Sequence, residues 1–334
     1  MVAWSTLAAD NPCDAFALLS RRIFCFWLAL SAVALLAIAP ATGAAGNAGS
    51  TGATDQSVLV IGRISDDPRR HYDQLKSLLD YVVPQLAPVG IREGRVLMAR
   101  DTQQMASYLR RGRVDWVTET AGTGVHLADR TGAKLLVVTE RDGVSAYHSV
   151  IFVRRDSGIR SLADLRGRSI GLQNLNSTTA YLAPVADLLG AGLNLELLLS
   201  PLDRPSVESV GYVFAQSENN ISTWVHKRLV DAGAYSNLDW ANLHRLPLAY
   251  RNDLVIIHRT VDYPRAVELV RGNLAPHVEQ ALREILLSAA DDPEGREPLL
   301  RFFGTSRFLP IDAAMQQSLD GLRDGVKRVH SELE

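Results

Sequence analysis

Gly171-Leu172-Gln173-Asn174-Leu175-Asn176-Ser177-Thr178-Thr179-Ala180-Tyr181 joins two different sequence patterns. Ahead of it, Ser169-Ile170-Gly171-Leu172 is an apolar run that reads as a buried strand. Behind it, Tyr181, Pro184, Val185, Leu188 and Leu189 recur at the spacing of one helix face. Between them Asn176, Ser177, Thr178 and Thr179 are all residue types that start helices. A helix start leaves backbone N–H groups unpaired and carries partial positive charge. With hydroxyl donors added, the segment is suited to hold an oxyanion; a plain helix cap is the simpler alternative.

Working outward, the same alternation of strand and helix runs along the chain. Val58–Ile61 reads as a strand, and Leu75, Leu78, Leu79, Val82, Val83 and Leu86 as one face of a helix. Val96–Met98 is a second strand. Asp101 or Thr102 caps a helix carrying Met105, Tyr108 and Leu109, which Gly112 closes. Asp115–Val117, a short helix from Gly122 to Asp129, and the strand Leu135–Val138 complete a first unit. Ser149–Val153 is a strand that leaves it. A second unit then holds the opening stretch, Leu195–Leu199, a helix marked by Ile221, Trp224, Val225 and Leu229, and the strand-like Val230–Ala234. Leu254–Ile257 reads as a strand leading back to the first unit, followed by helices over 274–286 and 311–329. The expected class is α/β, with two mostly parallel sheets flanked by helices.

The chain has 334 residues, 47% hydrophobic and 22% charged, with a formal net charge of -2. No basic block or aromatic-interleaved Lys/Arg stripe is present, which argues against nucleic acid as a partner. Arg21-Arg22, the uncharged run Ile23–Ala39 and the small residues Ala41–Gly46 describe a secretory signal peptide over residues 1–45. An uncleaved membrane anchor is the alternative. Residues 46–56 read as a flexible lead-in. Cys13 and Cys25 both lie in the leader, so the secreted protein would have no disulfide, no Cys-bound metal and no thiol chemistry. The eight histidines show no zinc-like spacing, and neither a phosphate-binding loop nor a nucleophile elbow occurs. No cofactor and no metal are expected, and a binder fits better than an enzyme.

Val150–Gly171, with Ser161-Leu162-Ala163-Asp164-Leu165-Arg166-Gly167-Arg168 at its centre, resembles a segment of type II periplasmic solute-binding proteins. Asn176–Pro184 is similar to the S-T-S-G-Y-L-x-P signature of the phosphonate, phosphite and phosphate-binding branch. Val230–Tyr235 and Arg113–Trp116 resemble that branch's two "V-D" strands. The likeness runs over roughly residues 57–315. It implies two lobes joined by crossing strands near 149–153 and 250–257, one lobe from 57–148 plus 250–334 and the other from 149–249. It also implies a ligand in the cleft between lobes, a membrane permease of an ABC importer as partner, a periplasmic location and a monomer.

Carried across residue by residue, Asn176, Ser177, Thr178 and Thr179 would hold an anionic head. Glu119, Thr120 and Tyr72 would line the cleft from the first lobe, and Glu218, Asn219 and Asp231 from the second; for Asp231 a turn or lobe-closing acid is the equal alternative. Arg63 lies near the first loop, another cleft position, though a solvated charge is the plainer reading. Two departures stand out. The signature glycine is Ala180, and Gln216–Asn220 replaces a histidine-bearing segment. Acids near the head favour a zwitterion or a less charged ligand over bare phosphate. The expected function is a periplasmic solute-binding component for a small oxyanion; a sensing module of the same fold is the alternative.

Overall fold

The computed structural model describes residues 57–333. The expected signal peptide and lead-in, residues 1–56, lie outside the described residues. In chain order the strands are β1 (Val58–Ile64), β2 (Glu93–Ala99), β3 (Trp116–Glu119), β4 (Lys134–Arg141), β5 (Ala146–Tyr147), β6 (Ser149–Arg154) and β7 (Ser169–Leu172). They continue with β8 (Asn194–Leu197), β9 (Ser209–Phe214), β10 (Ala232–Ser236), β11 (Leu254–Arg259), β12 (Tyr263–Pro264), β13 (Ala266–Val270) and β14 (Thr305–Leu309).

Two six-stranded sheets result, ordered β14-β4-β13-β3-β1-β2 and β11-β6-β10-β7-β9-β8. In the first, β1, β2, β3 and β4 run the same way while β13 and β14 oppose them. In the second, only β6 opposes the rest. The sheets are therefore mostly parallel, as expected for a doubly wound α/β chain. Leu254–Arg259, expected to lead back to the first unit, instead pairs with β6 and closes the second sheet. That sheet runs past the boundary expected at residue 249. The crossings themselves are the short strands β5 and β12, which pair with each other in a two-stranded ribbon.

Five helices position the candidate site: α1 (Pro68–Gln85), α2 (Thr102–Arg110), α3 (Ala121–Thr131), α4 (Ala183–Gly190) and α5 (Glu218–His226). Leu75, Leu78, Leu79 and Val82 bury the predicted face of α1. Asp101 caps α2 by accepting from the Gln104 N–H at 2.7 Å. The opening stretch folds as read: β7, a loop, a wide turn over Thr178–Leu182, then α4. In that turn the Leu182 N–H reaches back five residues to the Ser177 carbonyl at 2.9 Å, a π-type bond of the kind that favours functional sites. Tyr181, Pro184, Val185, Leu188 and Leu189 are all buried.

The C-terminal helix Ala313–Leu333 packs on both α3 and α4. Its Leu319, Leu322, Val326 and Val329 share one apolar cluster with Val125 and Leu127 of α3 and Val185 and Leu188 of α4. Among the described residues no helix is long and apolar enough to cross a membrane.

Candidate functional site

The registers fix which side chains share an edge. In the first sheet Arg63 and Ile64 end β1, Glu119 ends β3 and Arg141 ends β4, while Arg265 leads into the opposed β13. All lie at the carboxyl edge of the parallel strands. In open α/β sheets this is the edge where ligands bind. In the second sheet the corresponding edge carries Gln173 after β7, Gln216 after β9 and Ser236 at the end of β10.

These edges meet through the opening stretch. Thr178 Oγ1 accepts from the Gly122 N–H in the first turn of α3 at 2.8 Å. Thr123 Oγ1 donates to the Asn176 carbonyl at 3.0 Å and Thr120 Oγ1 to the same oxygen at 3.4 Å. Thr102 Oγ1 donates to Asn176 Oδ1 at 2.8 Å. Ser177 caps its own turn, its hydroxyl accepting from the Ala180 N–H at 3.1 Å. Thr178 and Thr179 are buried. A Cβ on Gly122 would come within 2.9 Å of Thr178 Oγ1 and 2.7 Å of Leu182 Cδ1, so only glycine permits this approach. Asn176, Ser177, Thr178, Thr179, Thr120 and Glu119 are thus brought to one place.

The remaining expected residues fare differently. Glu119 is buried and accepts from the Ile64 N–H at 2.8 Å. Burial pushes its carboxyl up, and the nearby Arg63 draws it down. Glu218 starts α5 at the second lobe's edge, where Gln173 Nε2 donates to it at 2.7 Å and Arg245 lies 3.4 Å away. Burial, then Asp239, raises its pKa. Asn219 is exposed.

Asp231 lies at the other end of the sheet, away from the cleft. It precedes β10 and accepts from the Ser169 N–H and hydroxyl at 2.9 and 3.1 Å, at the start of β7. The expected cleft role fails because the acid ties two strand starts together. Asp115 does the same in the first lobe, accepting from the Val60 N–H at 2.8 Å and from Arg271 Nε at 2.7 Å. Tyr72 is 45% exposed on α1. Its neighbour His71 is the residue that turns inward, bonding Ser65 Oγ at 2.7 Å and packing on the Phe303 ring.

Sequence reasoning missed Arg141 altogether and took Arg63 for a solvated charge. Arg141 is only 7% exposed. Its one local signal is a charged pair, Glu140-Arg141, closing an apolar strand at the edge where ligands bind. It also missed Glu268, fully buried in the middle of β13. Glu268 accepts from Trp116 Nε1 at 2.7 Å and from the Thr118 and Thr139 hydroxyls, both at 2.8 Å. Burial pushes its carboxyl up to about 7 against those bonds. Among the described residues no group of three or more His, Cys, Asp and Glu is arranged to hold a metal ion.

A hollow of about 500 Å³ opens at the amino edge of the first sheet, lined by Arg95, Arg113, Asp115 and Arg271 among others. It lies on the far side of the sheet from the lobe contact, and Asp115 and Arg271 are paired there.

Comparison with known proteins bears on this arrangement. The family model for the periplasmic phosphonate substrate-binding protein of ABC transporters matches residues 61–315. XAC2383 from Xanthomonas citri, solved with chloride bound, is 50% identical at a TM-score of 0.79, over 83% of this chain and 100% of its own. The same protein solved with ATP bound gives 49% identity and a TM-score of 0.78, over 83% and 100% of the two chains. PhnD1 from Prochlorococcus marinus, in complex with methylphosphonate, shares the fold at 18% identity and a TM-score of 0.56, over 82% of this chain and 98% of that one.

Proposed function

The chain belongs to the family of periplasmic phosphonate substrate-binding proteins of ABC transporters, and from that premise we propose that it binds a small phosphorus oxyanion in the cleft between its lobes, without chemistry, and delivers it to a membrane permease. One observation carries this reading: the hydrogen bond between the Gly122 N–H and the Thr178 hydroxyl. It sets the positive ends of two helical segments against each other across the lobes, at the carboxyl edges of both sheets. The Gly122 N–H and the Thr178 hydroxyl are groups that can donate to an oxyanion. Charge-assisted bonds of this kind contribute about 1.5–3 kcal/mol each. That the X. citri relative is solved with chloride bound and with ATP bound supports an anionic ligand.

A thermal-shift screen with phosphate, phosphite, methylphosphonate, an aminoalkylphosphonate, ATP and a sulfonate tests the reading. A ligand at 100 times its dissociation constant should add about 2.7 kcal/mol of stability. Silence towards every phosphorus oxyanion sinks it. In the double variant Ser177→Ala/Thr178→Ala affinity should fall at least about tenfold, or ~1.4 kcal/mol.

A further inference from the structure

We propose that Arg63 and Arg141 form the charge-receiving half of the cleft and take a doubly ionised phosphoryl or phosphonyl head. This is the chemistry shared by inorganic phosphate, an alkylphosphonate and the terminal phosphate of a nucleotide. The assignment rests on the reading that the cleft binds an oxyanion, and deepens it by naming the groups that neutralise the charge.

The first observation is what these arginines lack. Arg141 is more than nine-tenths buried, yet its Nε and Nη2 have no hydrogen-bond partner among the described residues. The buried Arg63 Nε likewise has none, and its Nη1 makes only a 3.4 Å bond to the Thr118 carbonyl. A guanidinium offers five N–H donors and stays charged, so leaving it buried and unpaired is expensive. Structural arginines elsewhere in the molecule are anchored. Arg154 bonds Asp156, Asp253 and the His226 carbonyl. Arg271 bonds Asp115 and Asn273. Arg251 leaves Nε unsatisfied but holds the Trp240 carbonyl, and Arg323 pairs through Nε with Asp129 at 3.1 Å and also with Asp320. Among the described residues, Arg141 Nε and Nη2 have no such anchor.

The second observation is a platform built for both. The Arg63 and Arg141 guanidinium carbons lie 4.4 and 4.9 Å from the centre of the Phe303 ring. Phe303 holds its backbone at φ +56°, a left-handed conformation that costs a bulky residue strain. Gly304 follows at φ +67°, and its carbonyl accepts from the Asp142 N–H at 2.8 Å, next to Arg141. A strained turn is thus fastened to the end of β4, where it sets one ring against two cations. Cation–π contact orients guanidinium groups while leaving their in-plane N–H donors free for a ligand.

The third is the surrounding charge. Arg265 is a third cation, over the Tyr147 ring at 4.8 Å beside the crossing strands. Burial, then Arg63 and Arg265, push the Arg141 guanidinium down to about 9. Burial and Arg63 also lower His71. Of the acids nearby, Glu119 and Glu268 are both pushed up by burial and already accept from protein donors, while Asp66 and Asp67 act on His71 against Arg63. The excess of positive charge calls for an anion of more than one charge. Two forked donors suit the oxygens of a tetrahedral head.

Calorimetric titration of the purified protein with inorganic phosphate, methylphosphonate and ATP, beside methanesulfonate, tests the assignment at mildly alkaline pH. Methanesulfonate has the shape of methylphosphonate but one charge fewer. The wild type should prefer methylphosphonate at least tenfold, and the three phosphorus ligands identify which carrier of the head the cleft accommodates. Arg141→Gln and Arg63→Gln should each weaken binding of the phosphorus ligands at least tenfold and shrink that preference. Arg141→Lys, which keeps charge but not the fork, should fall between, and holds the test open if Arg141→Gln fails to fold. Wild-type affinity and unchanged preference in folded Arg141→Gln or Arg141→Lys overturn the assignment. If Ser177→Ala/Thr178→Ala loses binding while the arginine variants keep it, the cleft reading stands and the assignment falls. If the wild type binds none of the phosphorus ligands, both fall.

Discussion

At the carboxyl edge of the first sheet the polar groups are charged and arrive from separate segments: Arg63 from β1, Glu119 from β3, Arg141 from β4 and Arg265 before β13. At the carboxyl edge of the second they are mostly neutral and consecutive: Asn176, Ser177, Thr178 and Thr179. The two edges also differ in how their polar groups are paired. Hydroxyls donate and accept, so this stretch finds partners within the protein: Ser177 caps its own turn and Thr178 accepts from the Gly122 N–H of α3. Guanidinium groups only donate, so Arg141 has no such recourse and keeps buried nitrogens unpaired.

The largest expected effect probes the charged wall. The folded pKa of Glu268, about 7, lies above its ordinary value of 4.5. The folded protein therefore holds that proton more tightly than the unfolded chain. Its contribution is fully present below pH 4.5 and is lost as pH rises to about 7, a swing on the order of 3 kcal/mol. Glu268→Gln should flatten that limb of a denaturation series; an unchanged slope would mean the wall holds a fixed negative charge. Next, Thr178→Val keeps the shape but deprives the Gly122 N–H of its acceptor, and should cost about 1–3 kcal/mol in ligand-free unfolding. Thr178→Ser should recover most of this. Equal stability of all three proteins would show that the neutral wall is not self-satisfied. The smallest effect runs with pH in the opposite sense. His126, on α3 behind the lobe contact, is lowered from 6.5 to about 4 by burial, then by His330, whose ring centre lies 3.9 Å away. It folds neutral, so stability is lost as pH falls from 6.5 towards 4. His126→Phe should remove about 1 kcal/mol of that acid sensitivity after solvent screening. A thermal-melt series unaltered by the change would detach this titration from the first lobe.

What could be read in the sequence obeys the same division. The neutral wall is local: an apolar strand, a run of capping residues and a helix face sit within about twenty residues, and all three formed where expected. Helix faces and the Asp101 cap were legible for the same reason. The charged wall depends on which strands become neighbours, and β13 hid that. Ala266-Val267-Glu268-Leu269-Val270 carries an acid in its middle, which disguises a fully buried central strand. The Trp116, Thr118 and Thr139 donors from β3 and β4, with the nearby Arg141 charge, make that acid tolerable. Without β13 in place, the ends of β3 and β4 cannot be seen to share an edge, and Arg141 goes unnoticed. Asp231 shows the converse error. A "V-D" strand start resembles a cleft motif, yet in both lobes the acid ties strand starts together at the opposite edge. The crossings escaped because β5 and β12 are two residues long, too short for any periodicity.

The C-terminal helix gives the two walls a common clock. Its apolar face belongs to α3 and α4 at once, and Gly325 sits so close to Ala186 that a Cβ there would come within 2.9 Å of it. If the proposed cleft opens to free a ligand, that helix would have to shear against α3 or α4. On the proposed function, the dwell time of a bound molecule would then depend in part on packing at this helix. Changes at Leu322 or Val326 should alter how long the cargo stays far more than how selectively it is chosen.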